Sequence, residues 1–278
     1  ADFQAIASIA YQEAGLVFPP EKAPLVRSRI NRRLRMLKLR SFSEYTHYIA
    51  TEQGQEERRI MISALTTNVS SFFRESHHFD ILRERVLPPL LKSARAGAKI
   101  RLWSAGCSTG QEPYSMAMTL LDFAPDAAEL DIRILATDID PNVIIVAKQG
   151  YYQERAVRDI PDEMVKTYMR PVQNGGQNGY LVADSLRQLV TFRELNLLAP
   201  WPMKAGFDAI FCRNVVIYFD EPTQLDLWPR FEAATKPGGW LFVGHSERLS
   251  EKLVTRFCTE GPTAYQLPLS AKPSTETE

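Results

Sequence analysis

The sequence predicts an α/β protein: a doubly wound, mostly parallel sheet, preceded by a helical N-terminal domain and interrupted by a small antiparallel β insert. Three observations carry this expectation. From Lys99 onward, short β-rich apolar runs alternate with helix-like segments, the pattern of parallel strands joined by crossover helices. The first run ends in a glycine turn and the second in an aspartate, as in open sheets that bind ligands at the strand carboxyl ends. Residues 1 to about 90 show helical periodicity instead.

In the N-terminal part, Phe3, Ile6, Ile9 and Ala10 share one helical face, and Gly15 stands where a C-cap glycine belongs. A second helix follows Pro24, with apolar positions Val26, Ile30, Leu34 and Leu37. The run SFSE (Ser41 to Glu44) has the form of a capping box opening a third helix. EERRIMISALT and the stretch from Glu75 to Lys92 complete the helical part.

The strands are expected at KIRLWSAG, DIRILATD, FDAIFCRNVVIYF and GGWLFVGHSE. The helices between them are expected at EPYSMAMTLLDF, PNVIIVAKQ and TQLDLWPRFEAATK. The most apolar run, AIFCRNVVIYF, is read as one buried strand despite Arg213 in its middle. Residues 151 to about 188 are too long for a simple crossover. A helix-like PDEMVKTYM, the turn-rich QNGGQNG and YLVADSLRQLVTF suggest a small antiparallel insert, with the sheet resuming near Val190. RFCTEGPTAYQLPL is expected to be a terminal hairpin, and the polar end SAKPSTETE a disordered tail. The expected division is a helical domain at 1–90, an α/β domain at 91–270 with its insert at 151–188, and a tail at 271–278.

Composition narrows the function classes. The chain has 278 residues, 45% apolar and 24% charged, and its formal net charge is zero. A core of ordinary size is expected, with no global field to attract nucleic acid. Three widely spaced cysteines, Cys107, Cys212 and Cys258, give neither a disulfide framework nor a zinc site and suit a reducing cytosol. The first residues lack the basic and apolar regions of a signal peptide. No apolar run has the length of a membrane span, so a cytoplasmic protein without direct membrane insertion is expected.

The turn SAGCSTGQEPYS lets a ligand approach the backbone and faces the next helix N-terminus. Its glycines, Gly106 and Gly110, are spaced G-x-x-x-G rather than G-x-G-x-x-G, which disfavours a nicotinamide dinucleotide. Asp138 ends the second strand, where an acidic side chain can accept both ribose hydroxyls of a nucleoside. Asp140 competes better for the helix N-cap, because Pro141 then takes the first helical position, and this leaves Asp138 free. Glu112 opens the following helix. It either complements the helix dipole or binds a ligand ammonium, and both readings stand. Arg213 and Asn214 end the FDAIFC strand. Asn-Val-Val-Ile stands where enzymes that methylate bases or amides carry an Asn-Pro-Pro-Tyr type motif, which argues against a nitrogen acceptor.

In order, the chain carries TTNVSSFFRE, SAGCSTGQEPYS, ATDIDP, NLL, FDAIFCRNVVIYF and PGGWLFVGHSE. This set resembles the CheR family of chemoreceptor methyltransferases along nearly the whole chain. The resemblance implies a sheet of the S-adenosylmethionine-dependent methyltransferase type and transfer of a methyl group to receptor glutamates, with S-adenosylhomocysteine as product. It also implies site residues. Asn68, Ser70 and Arg74 would contact S-adenosylmethionine from the helical side, and relatives commonly carry threonine at Ser70. Glu112 and Asp138 would hold its amino-acid part and ribose. Asn196 and Leu197 would line the adenine pocket, and Arg213 and Asn214 would complete the site. Without the resemblance, Asn68 and Arg74 read as a helix cap and a surface cation. Phe72 and Phe73 read as core.

The segment RSRINRRLRMLKLR holds Arg27, Arg29, Arg32, Arg33, Arg35, Lys38 and Arg40, with no acidic residue. With one face apolar, these cations must crowd the other, and like charges at helical spacing repel. An acidic partner accounts for this. RNA would fit the charge, but no aromatic residues interleave to stack bases. In the CheR family such a helix is thought to dock on the acidic cytoplasmic coiled coil of chemotaxis receptors. In some members the β insert also binds a receptor C-terminal peptide. A nucleic-acid methyltransferase and a non-catalytic scaffold at receptor arrays are the alternatives. The family reaction also implies no general base, since a carboxylate acceptor is ionised near pH 7. None of the four histidines, His47, His77, His78 and His245, falls at an implied cofactor position.

Overall fold

The computed structural model describes residues 2–249 and 255–269; the polar end of the chain lies outside them. Four helices come first: α1 (Asp2–Ala14), α2 (Ala23–Leu37), α3 (Phe42–Ala50) and α4 (Gln55–Leu65). They bury Ile6, Ala10, Val26, Ile30, Leu34, Tyr45, Ile49, Met61 and Leu65 in a core of their own. Gly15 ends α1 with φ 66°, and a side chain there would strike Leu198. At α3 the Ser41 hydroxyl accepts from the Glu44 N–H at 3.1 Å, while the Glu44 carboxylate reaches one residue further than a standard capping box, to the Arg40 N–H at 2.8 Å.

Helix α2 is less free than its charge suggests. Arg33 donates two hydrogen bonds to Glu57, at 2.8 and 2.6 Å, and Tyr45 donates to the same carboxylate at 2.9 Å. Glu57 is buried, so Arg33 neutralises a charge inside the helical core. Arg29 donates to the carbonyls of Leu65 and Thr66 and to the Thr67 hydroxyl, pinning the end of α4. Two of the seven cations therefore serve the fold, which corrects the expectation that crowding on this helix needs an outside partner throughout. Arg33→Ala is expected to destabilise the protein by about 3 kcal/mol, since it strands a buried carboxylate; urea denaturation checks this.

A loop leads to α5 (His77–Ile81), a π-helical turn (Leu82–Val86) and α6 (Leu87–Arg95). These pack with the sheet rather than with α1–α4, through Phe79, Leu82, Val86, Leu87 and Leu91. The α/β part then runs β1 (Ile100–Ala105), α7 (Gln111–Phe123), β2 (Ile132–Asp138) and α8 (Pro141–Gln149). The insert follows: β3 (Tyr151–Gln153), α9 (Asp162–Tyr168), β4 (Met169–Asn174), β5 (Gln177–Val182) and α10 (Asp184–Leu189). The sheet resumes with β6 (Val190–Glu194) and continues through β7 (Phe207–Cys212), α11 (Glu221–Ala234), β8 (Thr235–Val243) and the hairpin β9 (Cys258–Gly261) and β10 (Ala264–Gln266).

The main sheet has the order β6-β2-β1-β7-β8-β10-β9. Neighbours from β6 to β8 are parallel, and the terminal hairpin is antiparallel. The insert forms a separate antiparallel sheet in the order β3-β5-β4. Strand order reverses at β1, which places a crevice at the carboxyl ends of β1 and its neighbours.

The long strand expected at AIFCRNVVIYF is corrected. The strand stops at Cys212, and Val216–Tyr218 is a 3₁₀ turn. The cause is the buried Glu247. Its carboxylate accepts the N–H groups of Asn214 at 2.8 Å, Gly244 at 2.5 Å and Ile217 at 3.2 Å. Backbone donors that a longer strand would spend on the ladder are taken by this side chain, and Asn214 turns to φ 58°.

Candidate functional site

The strand carboxyl ends and the loop after α4 enclose a cleft of about 330 Å³. All nine expected cofactor residues line it: Asn68, Ser70, Arg74, Glu112, Asp138, Asn196, Leu197, Arg213 and Asn214. Phe72 and Phe73 do not; Phe72 is buried against Tyr152 and Phe73 packs on Phe79.

Asp138 is spared the helix cap, which Asp140 supplies, and is held in place by two backbone donors. One oxygen accepts the Ser108 N–H at 2.8 Å and the other the Asp140 N–H at 3.0 Å. Each carboxylate oxygen keeps capacity for a second donor. Burial raises its pKa to about 6, against the pull of those N–H groups. The folded protein therefore holds this proton more tightly than the unfolded chain, and stability falls as pH rises from about 4 to about 6. Keeping this carboxylate charged at neutral pH costs about 3 kcal/mol at 1.36 kcal/mol per pKa unit. A ligand that donates hydrogen bonds to it offsets that cost.

Asp140 caps α8, accepting from the Asn142 N–H at 2.9 Å, with Pro141 at the first helical position. The same carboxylate accepts from Ser63 at 2.7 Å and from Asn68 at 2.9 Å. Asn68 is thus no helix cap. It ties the loop after α4 to the end of β2, and its carbonyl accepts the Ser108 hydroxyl at 3.1 Å. Asn196 bridges the other side, donating to the Glu13 carbonyl at the end of α1 at 2.8 Å. The helical domain is in this way the second wall of the cleft.

Arg213 lies beneath the cleft with 2% of its side chain exposed, paired with Glu112 at 3.1 Å and Glu75 at 3.3 Å. It also donates to the Arg74 carbonyl. Glu112 accepts the Ser104 hydroxyl at 2.7 Å, and burial pushes its pKa up against the pull of Arg213 and Ser104. Glu75 goes the other way. Burial acts to raise it, but Arg213, His245 and Asn214 together lower it to about 2. Arg74 has no carboxylate partner among the described residues; its guanidinium donates to the Val69 carbonyl at 3.1 Å. Sequence reasoning missed Glu75 and Glu247. Both stand inside quoted motifs, FFRE and GHSE, but nothing in their spacing marks them as network residues. Cys107 and Cys212 are buried and their thiols are pushed up by burial, so neither supplies a thiolate nucleophile.

Two family models cover almost the entire chain. The CheR methyltransferase all-alpha domain matches residues 1–66, and the CheR methyltransferase SAM binding domain matches residues 68–265. The chain belongs to the CheR methyltransferase family. A probable chemotaxis protein methyltransferase of Rhizobium etli is 47% identical over 92% of this chain and 96% of its own length. Chemotaxis protein methyltransferase 2 of Pseudomonas aeruginosa is 42% identical over 88% of this chain and 86% of its own. The Escherichia coli chemotaxis protein methyltransferase is 40% identical over 96% and 91%.

The protein is therefore an S-adenosylmethionine-dependent methyltransferase, and the cleft suits that molecule chemically. Two carboxylates line it, Glu112 in the first turn of α7 and Asp138 at the end of β2. Leu197, Ile139 and Leu16 add apolar wall to the same cleft. The cleft volume lies in the range of small-molecule sites.

Proposed function

We propose that the chain transfers the methyl group of S-adenosylmethionine to glutamate side chains of methyl-accepting chemotaxis receptors, giving glutamyl methyl esters that serve sensory adaptation. The observation that carries this reading is the convergence of all nine implied cofactor residues on one cleft. The names of the relatives supply the chemotaxis context.

In this reading Asp138 holds the ribose, Glu112 the amino group, and Asn196 and Leu197 frame the base. Asn68, Ser70 and Arg74 close the cleft from the helical side. Bound S-adenosylmethionine supplies an electrophilic methyl group. The protein's part is to exclude water and align the acceptor. The five cations of α2 and its end with no carboxylate partner in the described structure, Arg27, Arg32, Arg35, Lys38 and Arg40, suit the acidic coiled coil of a receptor. The insert leaves β3 and β4 as open edges, a geometry that accepts a receptor C-terminal peptide as an added strand. The protein would work in the cytoplasm, recruited to membrane receptor arrays. Among the described residues no helix is long and apolar enough to cross a membrane.

A glutamate acceptor has an unperturbed pKa of about 4.3, so it needs no base near neutral pH. The single-turnover rate at saturating receptor is expected to stay nearly flat from about pH 6 to 8.5. His77→Ala should keep most of that rate. A steep rise near pH 7 that disappears with one histidine would contradict the carboxylate acceptor.

A further inference from the structure

Along the main sheet the parallel strands run β6, β2, β1, β7, β8. Cleft-lining residues follow the first four: Asn196 after β6, Asp138 at the end of β2, Ser108 after β1, Asn214 after β7. The remaining parallel strand, β8, pairs with β7 up to Val243 against Cys212, and His245 stands two residues beyond it. The β8 end borders the cleft on the side that these residues leave unlined.

His245 is held there by the buried network. Its Nδ1 lies 3.0 Å from the Glu75 carboxylate, and the same oxygen accepts the Asn214 side-chain amide at 3.3 Å. Glu75 is 11% exposed and paired with Arg213. As an ionised carboxylate it only accepts, so it fixes the proton on Nδ1. Glu75 and Asn214 both sit in the left-handed region, at φ 55° and 58°. Such strain persists where the surroundings over-determine it, commonly at functional sites. The His245 side chain is 65% exposed, and its Nε2 has no partner among the described residues.

We propose that His245 is the acceptor-side contact of this site: its imidazolium donates Nδ1–H to Glu75 and Nε2–H to the glutamate carboxylate that receives the methyl group. This rests on the glutamate acceptor proposed above. The charged groups around the ring are few. Glu75 binds Nδ1, with Arg213 and His78 behind it. Arg248 donates to the His245 carbonyl, and the Glu247 carboxylate faces backbone N–H groups instead. Donation from Nε2 with Nδ1–H already given to Glu75 needs both ring nitrogens protonated.

Two amide variants separate the ring nitrogens. His245→Asn keeps a donor where Nδ1 stands and removes Nε2; His245→Gln places a donor where Nε2 stands. With a receptor cytoplasmic fragment, His245→Asn is expected to raise the acceptor KM about tenfold, as loss of a charged hydrogen bond does. S-adenosylhomocysteine affinity should hold. His245→Gln should recover most of the KM. An unchanged KM in His245→Asn, or cofactor affinity falling in step with KM, overturns the assignment while leaving the glutamate reading intact. Absence of any base-labile methyl group on the receptor with the wild-type protein overturns the glutamate reading, and this assignment with it.

Discussion

Replacing Arg27, Arg32 and Arg35 together by glutamate is expected to lower kcat/KM for receptor about 100-fold or more while cofactor affinity stays unchanged, because three attractive contacts become repulsive. None of the three has an ion-pair partner among the described residues; Arg27 lies over the Phe42 ring at 6.0 Å and Arg35 donates to its own helix at the Asn31 carbonyl. Single exposed pairs are worth only about 0.2–1 kcal/mol, so single substitutions should do little and the triple reversal is the informative variant. Wild-type methylation should also fall with salt, since exposed charges are screened beyond about 8 Å at physiological ionic strength. Arg29 and Arg33 are left untouched in this design, because their loss would disturb the cleft loop and the Glu57 pair. Unimpaired methylation by the triple variant would remove α2 from receptor docking.

Asp138→Ala is expected to weaken S-adenosylhomocysteine binding by about 1.5–3 kcal/mol, since it removes charged acceptors of hydrogen bonds. The wild-type protein carries a second signature of the same residue. With its pKa raised to about 6, the carboxylate is ionised above that value and neutral below it. A ligand bound through the ionised form makes affinity constant above about pH 7 and lower at each step below about pH 6, and Asp138→Ala should lose that dependence. Calorimetry across pH 5 to 8 reads both effects. A folded variant with unchanged affinity would exclude Asp138 from the site.

Much of this architecture was legible because it is written in local patterns. The 3.6-residue spacing of Val26, Ile30 and Leu34, the glycine at position 15 and the Asp140-Pro141 pair each specify a local backbone state, and each is found. The motif order located the nine cleft residues through family resemblance; the residues alone left Glu112 undecided and read Asn68 as a helix cap. What stayed hidden was long-range. The strand break after Cys212 depends on Glu247, more than thirty residues away, which takes the N–H groups of Asn214 and Ile217. The engagement of Arg33 depends on Glu57 in another helix, and a charge count along α2 does not see it. Glu75 matters because Arg213, Asn214 and His245 arrive from β7 and β8, which only the folded sheet brings together.

The most direct test is the chemical identity of the transferred methyl group. Receptor cytoplasmic fragment and cellular RNA are incubated separately with the protein and S-adenosylmethionine labelled in its methyl group. The glutamyl ester reading predicts label in the receptor, released as methanol by mild base and mapped by mass spectrometry to glutamate side chains. Base-stable label, or label in RNA with none in receptor, would contradict it.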